Sequence, residues 1–119
     1  MTDAQKLAGH CHCGAVQFEV EADLGMTVEC NCSHCSAKGL VLAFAPLDNF
    51  RLVAGEGELS EYRFNKHQIA HRFCATCGAQ PFSMGERPDG AKTVAINLRC
   101  VDGIEIEKLS PKKVDGRSF

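Results

Sequence analysis

Three of the chain's eight cysteines fall within six residues, Cys30-Asn31-Cys32-Ser33-His34-Cys35, and no other thiol lies close in sequence to complete a set of four. Three thiolates can hold one face of a zinc ion. Structural zinc sites fill all four positions with protein ligands, whereas catalytic sites offer three and keep the fourth for water or substrate. This stretch therefore points to a metal with an open vertex. Two further pairs, Cys11-His12-Cys13 and Cys74-Ala75-Thr76-Cys77, have chelating spacing of their own. Gly9 and Gly14 flank the first pair, as a tight turn aiming two sulfurs at one point would require, and Gly78 follows the second, where glycine accepts positive φ. In such knuckles the amide N–H groups inside the turn can hydrogen-bond to the thiolates.

Chain proximity would pair Cys11 and Cys13 with Cys30 and Cys32, and loop entropy hardly argues against the alternative. Bridging Cys13 to Cys74 instead costs only about 1 kcal/mol more by the logarithmic closure law, against roughly 10 to 16 kcal/mol available from a structural zinc. The ligand count decides. Two knuckles combine into a closed site of Cys11, Cys13, Cys74 and Cys77, and the remaining cluster stays three-coordinate. Cys100 is left over, outside any chelating pair, and reads as a buried thiol; the competing reading makes it, His34 or His71 a fourth ligand that closes the second site. His10 and His12 are also within reach of a metal, although a solvent-facing turn is the simpler reading of each.

The elements that must position these residues read as strands. Ala15 to Glu21 alternates apolar and polar residues, Met26 to Glu29 reads as a short strand delivering the Cys30 loop, and Leu40 to Ala45 is a continuous apolar run expected to be buried on both faces and ended by Pro46. Phe50 to Ala54, Leu59 to Phe64, Gln68 to Phe73, Pro81 to Met84 and Thr93 to Leu98 continue as short strands between turn residues. No segment carries a sustained helical stripe. The expected fold is mainly β: a small, zinc-stapled antiparallel structure without large helices. Residues 1–8 read as a loose N-terminal tail, residues 9–119 as one zinc-binding domain, and the tail from Val101 as mostly irregular.

At 119 residues and a formal net charge of −2, the chain lacks the basic field that nucleic-acid or anionic-membrane binding requires. It has no apolar stretch of about 18 residues to span a bilayer and no apolar run after its first residues to act as a signal peptide. A cytoplasmic protein is expected, and in a reducing compartment adjacent cysteines serve chelation better than disulfides.

Gly9-x-Cys11-x-Cys13-Gly14, Cys30-x-Cys32-Ser33-x-Cys35 and Phe73-Cys74-x-x-Cys77-Gly78, in this order, resemble the glutathione-dependent formaldehyde-activating enzyme family, which includes centromere protein V. The likeness extends to Tyr62-Arg63-Phe64 and to Asn97-Leu98-Arg99-Cys100-Val101-Asp102-Gly103. It implies a β-tent fold, a structural zinc on Cys11, Cys13, Cys74 and Cys77, and a catalytic zinc on Cys30, Cys32 and Cys35. The implied reaction is condensation of glutathione with formaldehyde to S-hydroxymethylglutathione, carbon-sulfur lyase chemistry in reverse. The sequence departs from the family at Ser36-Ala37, where arginines are common.

Three thiolates over-neutralise a divalent ion, so the metal is a weak Lewis acid, better suited to lowering the pKa of an incoming thiol than to ionising water. Glutathione's carboxylates call for cations, and Lys38, Arg51, Arg63, Arg72 and Arg99 are available. His34, inside the cluster loop, is a candidate proton donor. The rival reading is a non-catalytic zinc module that binds glutathione or a protein partner through the same ligands.

Overall fold

The computed structural model describes residues 5–24, 27–30, 33–63, 69–86, 89–106, 109 and 111–114, and for Ser33 and Cys35 the backbone alone. Its strands in chain order are β1 (Gln5–His10), β2 (Gln17–Ala22), β3 (Thr27–Cys30), β4 (Leu42–Pro46) and β5 (Phe50–Ala54). There follow β6 (Leu59–Tyr62), β7 (Ala70–Cys74), β8 (Phe82–Glu86), β9 (Lys92–Asn97) and β10 (Lys112–Val114). A single short α-helix, α1 (Ser33–Lys38), stands among them in the described residues, with three one-turn 3-10 segments. Strands β1, β2 and β5 form an antiparallel three-stranded sheet; the other seven form a larger sheet in the order β10-β3-β4-β9-β8-β7-β6.

The alternating residues of β2 explain how the sheets meet. Phe18, Val20 and Ala22 are buried while Gln17, Glu19 and Glu21 are exposed, the period of a strand with one wet face. Opposite them lie Ala43, Ala45, Phe82, Val94 and Ile96 of the larger sheet. Phe18, Phe50 and Phe82 join the layers, with ring centroids 5.8 Å apart for Phe18–Phe50 and 4.7 Å for Phe50–Phe82. Burying each such ring contributes about 1.5 to 3 kcal/mol. Leu40, Leu42 and Ala95 form a second, smaller cluster, with Val28 and Cys30 packed against it. Because successive strand residues point to opposite faces, this cluster lies on the side of the larger sheet away from the main core.

Three sequence expectations change. Gln5 to Ala8, read as part of a loose tail, belong to β1, which pairs with β2 from Gln5↔Ala22 to His10↔Gln17. Only Leu7 and Gly9 of this strand turn inward, and one of them has no side chain, so the alternation is too faint to read in sequence. The tail beyond Val101 contributes β10, which runs parallel to β3 and is the one parallel pairing among the described strands. The apolar run at Leu40 is not buried throughout: Phe44 is 49% exposed, because among the described residues the cluster on the outer face of β4 stops at Leu42. Phe64 and Gln68, the expected end of one strand and start of the next, and Met26 lie outside the described residues.

Candidate metal centre and adjoining cavity

Strand β1 runs directly into the first knuckle. The Cys11 amide donates to Val16 O (3.0 Å) and the Gly14 amide to Cys11 O (3.1 Å), closing a loop whose reversal needs Gly14 at φ 82°. The Val16 amide donates to Cys11 Sγ at 3.3 Å. Strand β7 ends in the second knuckle in the same way. There the Cys74 amide donates to Ala79 O and the Gly78 amide to Cys74 O, both at 2.9 Å, with Gly78 at φ 81°. The Thr76 and Cys77 amides point at Cys74 Sγ from 3.4 and 3.5 Å. A turn at Glu56–Glu58 braces this knuckle, since Glu58 O accepts from the Ala75 amide (2.7 Å) and its carboxylate from Thr76 Oγ1 (3.2 Å). The knuckles belong to different sheets, so the site they form fastens one sheet to the other.

The four sulfurs of Cys11, Cys13, Cys74 and Cys77 all lie within 4.8 Å of one another. Cys11 Sγ is 3.6 Å from Cys13 Sγ, which is 3.7 Å from Cys74 Sγ. A tetrahedral zinc with about 2.3 Å bonds to sulfur sets its ligands roughly 3.8 Å apart. The separations match a tetrathiolate cage and are far too long for a disulfide. Cys11 and Cys74 are buried, Cys77 is half-buried and Cys13 exposed. The Ala79 and Cys13 amides hold the Cys77 thiol down at about 6, and the Cys77 amide lowers that of Cys74. At Cys13 the Ala15 amide favours the thiolate but is outweighed by desolvation and the neighbouring sulfurs, which push the thiol up to about 11. The backbone thus favours thiolate at the second knuckle, and a cation is what would let all four ionise together.

A cavity of about 640 Å³ opens beside this centre. Cys11 and Cys77 form part of its wall, with Lys38 at the end of α1 and Asn97, Arg99, Cys100 and Asp102 from the turn after β9. Gln80, 3% exposed, lines it and links it to a histidine pair, His71 buried and His34 half-buried. Its Oε1 accepts from His34 Nε2 at 2.9 Å and its Nε2 donates to His71 Nδ1 at 3.4 Å. The two imidazoles sit 4.0 Å apart between centroids, with Tyr62 stacked on His34 at 5.7 Å. Desolvation lowers both, His71 to about 4, so the His71 ring is neutral near pH 7.

Residues 6–114 match the family described as glutathione-dependent formaldehyde-activating enzyme. The chain belongs to that family. It also resembles a crystal structure of a Rhodobacter sphaeroides protein, with a TM-score of 0.79 and 31% identity over 89% of this chain and 97% of that one.

The remaining cysteines of this formaldehyde-activating family member are distributed as follows. Cys30 is half-buried at the end of β3. Cys35 lies on α1, with its backbone alone described, and Cys32 lies outside the described residues. Cys100 stands apart from the four-sulfur centre: its Sγ accepts from Asn97 Nδ2 at 3.6 Å and faces Gln80 O at 3.9 Å, and burial pushes the thiol up to about 11. His10, read as a solvent-facing turn histidine, is exposed at the end of β1; it bonds through Nδ1 to Cys11 O (2.6 Å) and pairs with Asp102 (3.1 Å), which raise its pKa. His12 lines the cavity. Sequence reasoning missed Gln80 and Asn97. Asn97 Nδ2 donates to Gln80 O at 2.9 Å, and neither residue belongs to a spacing that distinguishes a buried amide from a surface one. Gly9 was read as a turn glycine, but it sits within β1, where Phe18 and Cys100 O approach too closely for a Cβ.

Proposed function

We propose that the protein joins a thiol, glutathione, to formaldehyde or a related small aldehyde, forming an S-hydroxymethyl adduct as a carbon-sulfur lyase working in the synthetic direction. In this reading Cys11, Cys13, Cys74 and Cys77 hold a structural zinc, and Cys30, Cys32 and Cys35 hold a second. The observation that carries it is that, among the described residues, the two knuckles supply all four thiols of one centre, so that centre does not call on the Cys30–Cys35 stretch. A zinc on three thiolates would supply a soft position that lowers the pKa of an entering thiol. The substrate thiolate attacks the carbonyl carbon, the new C–S bond replaces the C–O π bond, and the alkoxide takes a proton from solvent; no redox change occurs. The chain contributes chiefly by holding the reactants together. Its His34–Gln80–His71 network holds two imidazoles in fixed orientation beside the cavity that Gln80 lines. Eight thiols in one small chain suit a reducing compartment, the cytoplasm.

The test is to follow adduct formation by exchange spectroscopy with zinc-loaded protein, beside Cys32→Ser. Acceleration over the uncatalysed addition that disappears in the variant is the expected result. A rate equal to the protein-free rate rejects the enzyme and leaves a zinc module that binds glutathione or a protein partner.

A further inference from the structure

Five cations were available to meet an anionic substrate, and the structure separates them. Arg51 pairs with Glu19 across β5 and β2. Arg63 and Arg72 both reach Glu61, at 2.6 and 3.1 Å. Lys38 and Arg99 have no carboxylate partner among the described residues, and both line the 640 Å³ cavity. The one carboxylate in the described lining, Asp102, is occupied by His10.

Both free cations are nevertheless held in place. Arg99 Nε donates to Gly39 O at 2.8 Å and its backbone amide to Asn97 Oδ1 at 3.1 Å, while its Nη groups make no hydrogen bond among the described residues. Lys38 Nζ lies 5.2 Å from the Phe73 ring centroid and 3.4 Å from Gly78 O. The contact from Arg99 to Gly39 ties the turn after β9 to the end of α1, which brings the two charges to the same rim. A guanidinium fork anchored through Nε and a lysine braced on an aromatic face are pre-organised donors for a planar anion. Lys38 follows Cys35 by three residues, roughly 4.5 Å along the helix. A carboxylate one residue beyond a cysteine thiol in an extended peptide reaches about 7 Å, the same scale.

We infer that Lys38 and Arg99 form a carboxylate subsite that selects thiols bearing an acid group a short peptide length from sulfur. The inference rests on the proposed thiol addition and adds to it the recognition element. It makes the protein discriminate between glutathione and neutral thiols by charge at a distance from the reacting sulfur.

Calorimetric titration of the zinc-loaded protein tests this, with glutathione, glutathione diethyl ester and S-methylglutathione as probes. The ester is expected to bind the unmodified protein about tenfold more weakly than the acid. Lys38→Gln and Arg99→Gln should each weaken glutathione about three- to tenfold and bring acid and ester together, whereas Arg99→Lys restores part of the difference and Arg51→Gln changes nothing. Zinc content and melting temperature are measured for every variant, and the ester comparison needs no variant at all. Equal binding of acid and ester to the unmodified protein overturns the inference, as does wild-type affinity in both Gln variants. Turnover without carboxylate dependence overturns it while leaving the thiol addition intact. Carboxylate-dependent binding of S-methylglutathione without turnover of glutathione rejects the reaction and keeps the subsite. No binding of any probe rejects both.

Discussion

Replacing Gly9 by alanine probes how β1 is wedged between the core and the turn that carries Arg99 and Cys100. A Cβ at this position would stand 2.6 Å from Cys100 O and 2.8 Å from Phe18 Cε1, and closer still to Phe18 Cζ. Carbon atoms rest about 3.5 to 4.0 Å apart, so the ring must retreat by roughly 1 Å and the carbonyl by somewhat less. Neither has room. Phe18 is 1% exposed and packed against Phe50 and Phe82, and the carbonyl belongs to the backbone of a turn pinned by Asn97. Overpacking of this kind costs about 1 to 3 kcal/mol, and two constrained obstacles place the cost near the top of the range. Alanine restricts the unfolded chain and returns about 0.4 to 1 kcal/mol, leaving a net loss near 2 kcal/mol and a fall in melting temperature of roughly 8 °C for a domain of this size. Urea unfolding of zinc-loaded proteins with matched metal content measures it, with Gly57→Ala as the comparison. Gly57 has nothing within 4 Å of an added Cβ, so that variant should be neutral or slightly stabilised. Gly9→Ala unfolding within about 0.5 kcal/mol of the parent would refute the described approach of β1 to Phe18 and the Cys100 turn.

Two further perturbations separate the metal centre from its surroundings. Cys74→Ser should lose both its zinc and its cooperative unfolding because the two sheets share that fastening, whereas Cys30→Ser should keep its fold and fall from roughly two zinc ions per chain to one; metal analysis with circular dichroism decides, and a Cys74→Ser protein with unchanged zinc and unfolding would sink the stapling argument. His71, 6% exposed and depressed from 6.5 to about 4, gives a pH prediction. Between those values the unfolded chain binds a proton that the folded chain does not, so stability is full above pH 6.5 and declines as pH falls, by up to about 3 kcal/mol at pH 4. The stability difference between the parent and His71→Leu, followed by denaturant titration from pH 7 to pH 4, should shift against the parent by an amount of that order; a pH-independent difference would show that His71 is not buried uncharged.

Much of the fold was written locally. The period-two pattern at Gln17 to Ala22 and the short apolar runs bounded by Gly, Pro and Asn mark their strands because side-chain alternation and turn chemistry act within a few residues. Strand β1 was hidden because it turns only Leu7 and a glycine inward, and its other inward contact is made by backbone against Phe18. Strand β10 was hidden because a three-residue edge strand draws its identity from β3, more than eighty residues earlier.

By itself the sequence determined the ligand chemistry: which cysteines have chelating spacing, and by ligand count that Cys11 and Cys13 belong with Cys74 and Cys77, since the number and type of donors a metal needs are properties of residues. Only the tertiary structure decided which cations remain free to act. Arg51 and Arg72 are neutralised by carboxylates brought from neighbouring strands and Arg63 by Glu61 two residues before it, while Lys38 and Arg99 meet at one cavity because a helix end and a distant turn share a hydrogen bond. Charge pairing across strands depends on distances through space, and no spacing along the chain encodes it.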